Sequence, residues 1–415
     1  MTVQPVLSLP PAARTPEPWP RGPQPVAAAG PRVQPVVRWA LYLYVCSIPF
    51  EMPQRSLPVE IPTLVGCVFL LATLLDRRAA YGRIDLPLVA FTGYLWMFTV
   101  AALVNLTSHE PYVLKFFLEL LQVVLIFWTG ANLMREEPVR VAALRAFALA
   151  CGFRAALQVF GIARNEKALW TGGARMSALG QNANLSALIL SCGLLAALAL
   201  VNRQGRRWPA AVRWPIVVLI AVAVVQTGSR GGLLALSVGL LAILCGERTL
   251  WARVRNGVAA LAALGVLGFA AYHSEGMRNR LFAAAESGQL AGRERIYPAL
   301  LVMIRERPFV GWGPVENQVE LERRLQDPGY VKRDAHNLLL ELLTSTGVAG
   351  TIPFLIGLTA CVRSAWRSRL GPAGALPSAM LVTMLTGTMS GTWIASKLLW
   401  LVLAHADAAG RGRGR

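Results

Sequence analysis

Acidic side chains are scarce in this chain of 415 residues: 22 Asp and Glu stand against 41 Lys and Arg, and charged residues make up only 15% of the whole. A soluble globular protein carries nearer a quarter. No Asp-x-Asp pair occurs, so the acidic grip that holds a divalent metal against a sugar nucleotide is missing; a Walker A loop is missing too. No Gly-x-Ser-x-Gly turn presents a serine nucleophile. The cysteines Cys46, Cys67, Cys151, Cys192, Cys245 and Cys361 each stand alone in or beside an apolar run, without Cys-x-x-Cys or Cys/His spacing. That pattern gives neither a zinc site nor a disulfide framework, and the six read as small packing residues. No metal and no cofactor are expected. The formal charge of +19 would suit nucleic acid, yet the cations are not gathered on one face and no nucleic-acid motif accompanies them. Nucleic acid is therefore not an expected partner. The alternating strands of an outer-membrane barrel are absent as well.

What the chain has in quantity is apolar sequence. Hydrophobic residues make up 55% and the mean hydropathy is +0.48. Apolar runs recur, each near the length a helix needs to cross about 30 Å of hydrocarbon. They fall at 38–53, 60–75, 86–105, 112–133, 138–162, 183–201, 213–227, 231–246, 255–272, 336–362, 374–390 and 392–406. The fold class expected is therefore all-α: a polytopic membrane protein with about twelve transmembrane helices and one large outer loop carrying short helices. Residues 1–35 are Pro-rich, with Pro10, Pro11, Pro16, Pro18 and Pro20 denying them the apolar core of a signal peptide, and are expected to be a disordered cytoplasmic tail. Residues 36–272 then hold helices 1–9, 273–335 form a cap, 336–406 hold helices 10–12, and 407–415 are a basic cytoplasmic tail.

With the amino terminus inside, the inner loops hold Arg77, Arg78, Arg83, Arg135, Arg140, Arg203, Arg206, Arg207 and Arg213, then Arg248, Arg253, Arg255, Arg363, Arg367 and Arg369. This is the positive-inside pattern over many loops. The exceptions ask for another reason. Arg164, Lys167, Arg175, Arg230 and the cations of 273–335, together with His336, all come out on the opposite side.

Three stretches carry the polar signal. Thr227-Gly-Ser-Arg230-Gly-Gly232 places an arginine between two short apolar runs, with glycines that would let backbone amides approach an anion at a helix start. The plainer alternative is an arginine snorkelling from a helix end. Gly292-Arg293-Glu294-Arg295-Ile296-Tyr297 opens a helix expected to run to Ile304 and to end before Pro308; paired to Glu294 or Glu306, Arg293 and Arg295 would be an ordinary exposed helix start. Val315 to Leu325 suits a second, amphipathic helix with Val315, Val319 and Leu325 inward. Arg175 precedes Gln181-Asn182-Ala183-Asn184, where Asn182 or Asn184 caps the sixth span. Asp334-Ala335-His336-Asn337 stands where the cap re-enters the apolar region. A histidine at a helix amino terminus is held neutral by the dipole and is available as a base. Asp334 either orients that imidazole or caps the helix, His336 then being an interface residue.

Taken in order, Thr227-Gly-Ser-Arg-Gly-Gly232, Gly292-Arg293-x-x-Ile296-Tyr297 leading to Arg307-Pro-Phe-Val-Gly-Trp-Gly313, and His336-Asn337-Leu338-x-Leu340-Glu341 followed by Gly347-x-x-Gly350 resemble the O-antigen ligase and polymerase superfamily of bacterial inner-membrane glycosyltransferases. The likeness covers the second half of the chain; Tyr297 departs from the tryptophan the family often has there. The resemblance implies a GT-C-like enzyme of the inner membrane with its active site facing the periplasm. It would move a polysaccharide from an undecaprenyl-pyrophosphate-linked donor to a sugar hydroxyl of lipid A–core, with inversion and without metal. In that scheme His336 is the general base, Arg230, Arg293 and Arg175 grip the pyrophosphate, and Asp334, Asn337, Arg295 and Tyr297 support them. Membrane lipids are the other partners implied. Within the superfamily the alternatives are an O-antigen polymerase and a protein O-oligosaccharyltransferase. A transporter is the alternative from another class, disfavoured because no internal repeat is seen and the polar residues gather at one face.

Overall fold

Among the described residues five helices are long and apolar enough to cross a membrane, Leu86–Val104, Glu110–Leu133, Glu137–Val159, Leu250–His273 and Leu338–Ser368, and they set the architecture of this computed structural model. The structure describes residues 33–52, 60–105, 110–162, 164–167, 175–199, 209–247, 249–274, 277–279, 282, 292–326 and 332–411. In chain order the helices are α1 Pro35–Ser47, α2 Ile61–Thr73, α3 Arg77–Tyr81, α4 Leu86–Val104, α5 Glu110–Leu133 and α6 Glu137–Val159. After the strands β1 Arg164–Lys167 and β2 Arg175–Ala178 come α7 Ala183–Ala199, α8 Ala210–Gln226, α9 Arg230–Ile243 and α10 Leu250–His273. The short α11 Arg293–Glu306 and α12 Glu316–Leu325 precede α13 Leu338–Ser368, α14 Leu376–Thr388 and α15 Lys397–Arg411. Each apolar run of the sequence falls on a helix.

Several helices carry a proline at their first or second position, α1, α2, α4, α6 and α14, where the missing N–H is one that a first turn leaves unpaired in any case. Helix α7 lies in the middle of the bundle and is buried almost all round. Helix α10 buries only Ala260 and Ala271 and keeps Val258, Leu261, Val266 and Phe269 exposed. A bundle whose flanks show this much apolar side chain is solvated by lipid, as in a multi-pass membrane protein. The inner core is aromatic where four helices meet: Phe91 packs against Phe127, Phe354 and Trp400 at ring separations of 5.2, 5.5 and 5.0 Å.

Side chains tie the helix termini into two separate ends. At one end Gln34 donates to Asp76 at 3.0 Å, Trp128 donates to the Arg83 carbonyl at 2.7 Å, and Asp85 pairs with both Arg135 and Arg411. At the other, Lys397 lies 3.5 Å from Glu51 and 3.0 Å from Glu60, Ser396 donates to Glu51 at 3.1 Å, and Gln181 donates to the Glu51 carbonyl.

Three expectations change. The chain is not purely helical: β1 and β2 form an antiparallel hairpin, Arg164 opposite Ala178 and Lys167 opposite Arg175. Val33 is buried and donates its N–H to Glu136, so the bundle begins before residue 36; residues 1–32 of the expected tail lie outside the described residues. The last helix runs on to Arg411, with Asp407 buried and accepting from Arg411 at 2.9 Å, rather than giving way to a tail after 406. Residues 412–415 are likewise outside the described residues.

Candidate functional site

The cap is seated in a break of α13. At Gly347 the backbone leaves the helix (φ 60°, ψ −165°), a combination nearly confined to glycine. A break in a helix orphans carbonyls on one side and N–H groups on the other. Here the segment Pro308–Gly313 takes up both sets. Trp312 and Gly313 donate to the carbonyls of Thr344 and Ser345 at 2.8 and 3.0 Å. Val348 and Ala349 donate to the carbonyls of Pro308 and Phe309 at 2.8 and 3.1 Å. A Cβ on Gly347 would stand 2.3 Å from the Phe309 carbonyl group. Trp312 then carries the rest of the cap: its Nε1 donates to the Met303 carbonyl at 3.0 Å, and the guanidinium of Arg307 lies over its ring at 4.1 Å.

On this seat α11 and α12 pack through Ile296, Leu300, Met303, Leu321 and Leu325. Helix α11 runs two residues beyond the expected Ile304 and still stops before Pro308. Helix α12 begins at Glu316; Val315 and Leu325 are buried as expected, but the inward face is wider and more polar than expected. Val319 is only half-buried, while Asn317, Leu321 and Glu322 are buried. The reason is polar: Asn317 donates to Glu341 at 2.9 Å and to Thr344 at 3.2 Å, and Gln318 donates to Glu341 at 3.4 Å. Glu341, two per cent exposed in the first turns of α13, anchors the cap to that helix.

His336 sits just before α13 with a left-handed backbone (φ 50°). The cap of the helix is Asn337, whose Oδ1 accepts from Leu339 and Leu340 at 3.0 and 3.2 Å. Asp334 does not cap; it acts on His336 by charge. Burial lowers the imidazole's pKa below its ordinary value, Asp334 raises it, and the cations of Arg293 and Arg333 lower it again. The neutral imidazole expected from the helix dipole is thus favoured, but by desolvation and neighbouring cations. Arg293 opens α11 behind Gly292, and its Nε is buried without a hydrogen-bond partner. Arg295 points elsewhere and donates to the Leu325 carbonyl at 3.0 Å, bracing α11 to α12.

Arg230 is the first residue of α9, behind the N-cap Ser229, whose Oγ accepts from Gly232 at 3.1 Å. The N–H of Gly232 is therefore spent on the cap, and the two glycines serve packing. A Cβ on Gly232 would lie 2.3 Å from Ala187, and one on Gly231 would lie 3.2 Å from the Ser390 hydroxyl. Arg175 braces the turn before Arg230: it donates to the Thr227 carbonyl at 3.3 Å and to Asn184 Oδ1 at 2.6 Å, and Ser229 donates to the same Asn184 atom at 2.9 Å. Asn182, with Oδ1 accepting from Asn184 and Leu185, caps α7.

The turn between α14 and α15 gathers these pieces. Tyr297 donates to the Met389 carbonyl at 3.5 Å, Asn337 reaches the Met389 sulfur at 3.9 Å, and Ser390 abuts Gly231. Arg230, the Arg293 helix and His336 thus border one turn at one end of the bundle. Sequence reasoning missed Met389 and Ser390 as site residues, and offered Asn184 only as a helix cap rather than as the acceptor for Arg175 and Ser229, because neutral residues of a turn carry no polar pattern. Among the described residues no group of three or more His, Cys, Asp or Glu side chains is placed to hold a metal. The arrangement offers cations and one imidazole, which suits binding an anion next to a proton acceptor.

A family model described as O-antigen ligase matches residues 215–355, a window that takes in Arg230, Arg293 and His336 and leaves out Arg175. No curated protein matches the chain.

Proposed function

The chain belongs to the O-antigen ligase superfamily, and we propose that it is a ligase moving a polysaccharide from undecaprenyl pyrophosphate to a sugar hydroxyl of lipid A–core. The acceptor hydroxyl gives its proton to the neutral imidazole of His336 as its oxygen bonds the anomeric carbon. The bond from that carbon to the pyrophosphate oxygen breaks on the opposite face, so the centre inverts. Arg230 and Arg293 hold the pyrophosphate and stabilise the charge it gains on leaving. Arg175 positions the turn that carries Arg230, and Asn337 and Tyr297 fix His336 and α11 against the 389–390 turn.

The observation that carries this reading is the meeting of three separated stretches on that one turn, with the Arg293 charge bearing directly on His336. The same contacts disfavour a transporter, whose polar residues would line broken helices near midplane. With about twelve spans, the end holding Arg83, Arg135, Arg369 and Arg411 is the cytoplasmic one by the positive-inside rule, and the site faces the periplasm of an inner membrane.

The deciding experiment supplies purified protein in liposomes with a lipid-linked glycan and either lipid A–core or further lipid-linked repeats. Transfer to lipid A–core that His336→Ala abolishes is the expected result. Elongation of the lipid-linked repeats alone would make the enzyme a polymerase, and full activity of His336→Ala would remove the general base.

A further inference from the structure

A cavity lies at the end of the bundle opposite the candidate site, and nothing in the proposed transfer uses it. Its volume is about 670 Å³, and it is formed by one face of α13 against Leu86 at the start of α4 and Gly410 and Arg411 at the end of α15. Along α13 the lining follows helical spacing. Ile352, Leu355 and Ile356 come first, then Thr359 and Ala360, then Arg363, Ser364 and Arg367. The wall is thus apolar at one end and cationic at the other. Ile352 and Ile356 are 52% and 46% exposed, so the trough opens on the flank of the bundle, where lipid stands.

From Ile352 to Arg363 the helix rises about 16 Å, close to half of a hydrocarbon core of about 30 Å. The trough is therefore about one leaflet deep, with its arginines at the level of headgroups. Arg363 and Arg367, one turn apart on α13, are exposed, and Arg411 lies across the cavity from them. No carboxylate is among the described lining residues, although Arg411 is paired with Asp85 and Asp407, so the cations that face the trough are Arg363 and Arg367. Trp366 is half exposed beside them, with the guanidinium of Arg369 4.1 Å above its ring, as suits a side chain at the interface.

We infer that this trough binds an anionic phospholipid of the surrounding bilayer, its phosphate on Arg363 and Arg367 and one acyl chain along Ile352 and Ile356. Basic pockets between transmembrane helices take such headgroups. The site differs from the catalytic one in its end of the bundle, its helices and its ligand, and it holds whether the acceptor is lipid A–core or another glycan.

The test uses the full-length protein in neutral detergent, titrated with phosphatidylglycerol or phosphatidylcholine and read by native mass spectrometry. Phosphatidylglycerol should bind more tightly, and Arg363→Ala/Arg367→Ala should cost about thirtyfold in that affinity. Arg253→Ala/Arg255→Ala removes the same charge at the start of α10, away from the cavity, and should leave binding unchanged. Ile352→Trp/Ile356→Trp keeps every cation but fills the chain slot, and should weaken binding as well. Equal affinity for the two lipids overturns the inference. So does full binding by the tryptophan variant, or displacement of the lipid by inorganic phosphate alone, since either would mean a headgroup held without its chain. A melting temperature near that of the parent in each variant assigns the loss to the trough.

Discussion

Substituting Gly347 by Ala attacks the joint on which the cap rests. The residue has φ 60° and ψ −165°, where an L side chain costs about 1–3 kcal/mol. The added methyl would also stand 2.3 Å from the Phe309 carbonyl carbon and oxygen and 2.6 Å from the Val310 nitrogen. These are backbone atoms, which no rotamer change can move. Relief requires shifting Pro308–Gly313, and with it the four backbone hydrogen bonds at 2.8–3.1 Å that fill the helix break. At a net value of about 1 kcal/mol each, their full loss would add about 4 kcal/mol. The expected destabilisation therefore lies between about 1 and 7 kcal/mol, and it falls on the cap rather than on the bundle.

Hydrogen exchange read by mass spectrometry separates those two regions. Amides of 293–325 should exchange much faster in Gly347→Ala, while those of α7 and α15 keep their protection. Glycosyl transfer should drop at least about tenfold, because Arg293 is carried on the displaced part. Gly268→Ala is the control: it lies in α10, and a Cβ there would meet nothing within 4 Å. Unchanged exchange and turnover in Gly347→Ala would refute the claim that the helix break seats the cap.

Other outcomes follow from the site and the buried polar groups. If His336 is the base, the rate falls as pH drops through its pKa, which lies below the ordinary histidine value; Asp334 raises that pKa, so Asp334→Asn should move the acid limb of the rate profile to lower pH. Arg333→Gln, removing a cation that lowers the pKa, should move that limb the other way. Arg230→Lys should lose at least about tenfold in kcat/KM although the charge is kept, since an ammonium cannot replace a two-pronged grip on phosphate; near-parental kinetics would exclude that role. Lys397→Met strands Glu51 and Glu60 at the end of the bundle and should cost about 3–5 kcal/mol in a denaturation assay, with Glu51→Gln in the same chain restoring part of it.

The helices were legible because a bilayer favours long apolar runs, and each run from 38–53 to 392–406 falls on a helix, although among the described residues only five of those helices are long and apolar enough to cross. The hairpin was not. Four residues per strand are too few to show alternation, and Arg164–Lys167 holds three charged residues out of four. For α12, apolar periodicity pointed to Val319, whereas the buried amide of Asn317 follows from a carboxylate on another helix that no local pattern reveals. The same limit applies to Arg175. Its charge and position suggested a phosphate ligand, while its bonds to the Thr227 carbonyl and the Asn184 amide oxygen follow from contacts that only the folded chain makes.

The residues that made the second half of the chain recognisable divide into two groups by what they touch. Gly347 and the stretch Pro308–Gly313 join cap to helix by main-chain hydrogen bonds, and Gly231 and Gly232 are small so that α9 can close on the 389–390 turn and on α7. Arg230, Arg293 and His336 are the ones with chemistry to offer, and each stands at the start of an element that the first group fixes. Arg230 rests on the bundle, while Arg293 rides on the cap and His336 on the re-entry into α13. A site assembled from three bodies needs its joints held to a fraction of an ångström if an acceptor oxygen is to meet both the imidazole and the anomeric carbon. Main-chain bonds across a helix break meet that need better than surface ion pairs, because neither partner has side-chain freedom to lose. On the proposed mechanism the packing glycines would serve the transfer by fixing where the cations and the imidazole stand, without touching the substrate.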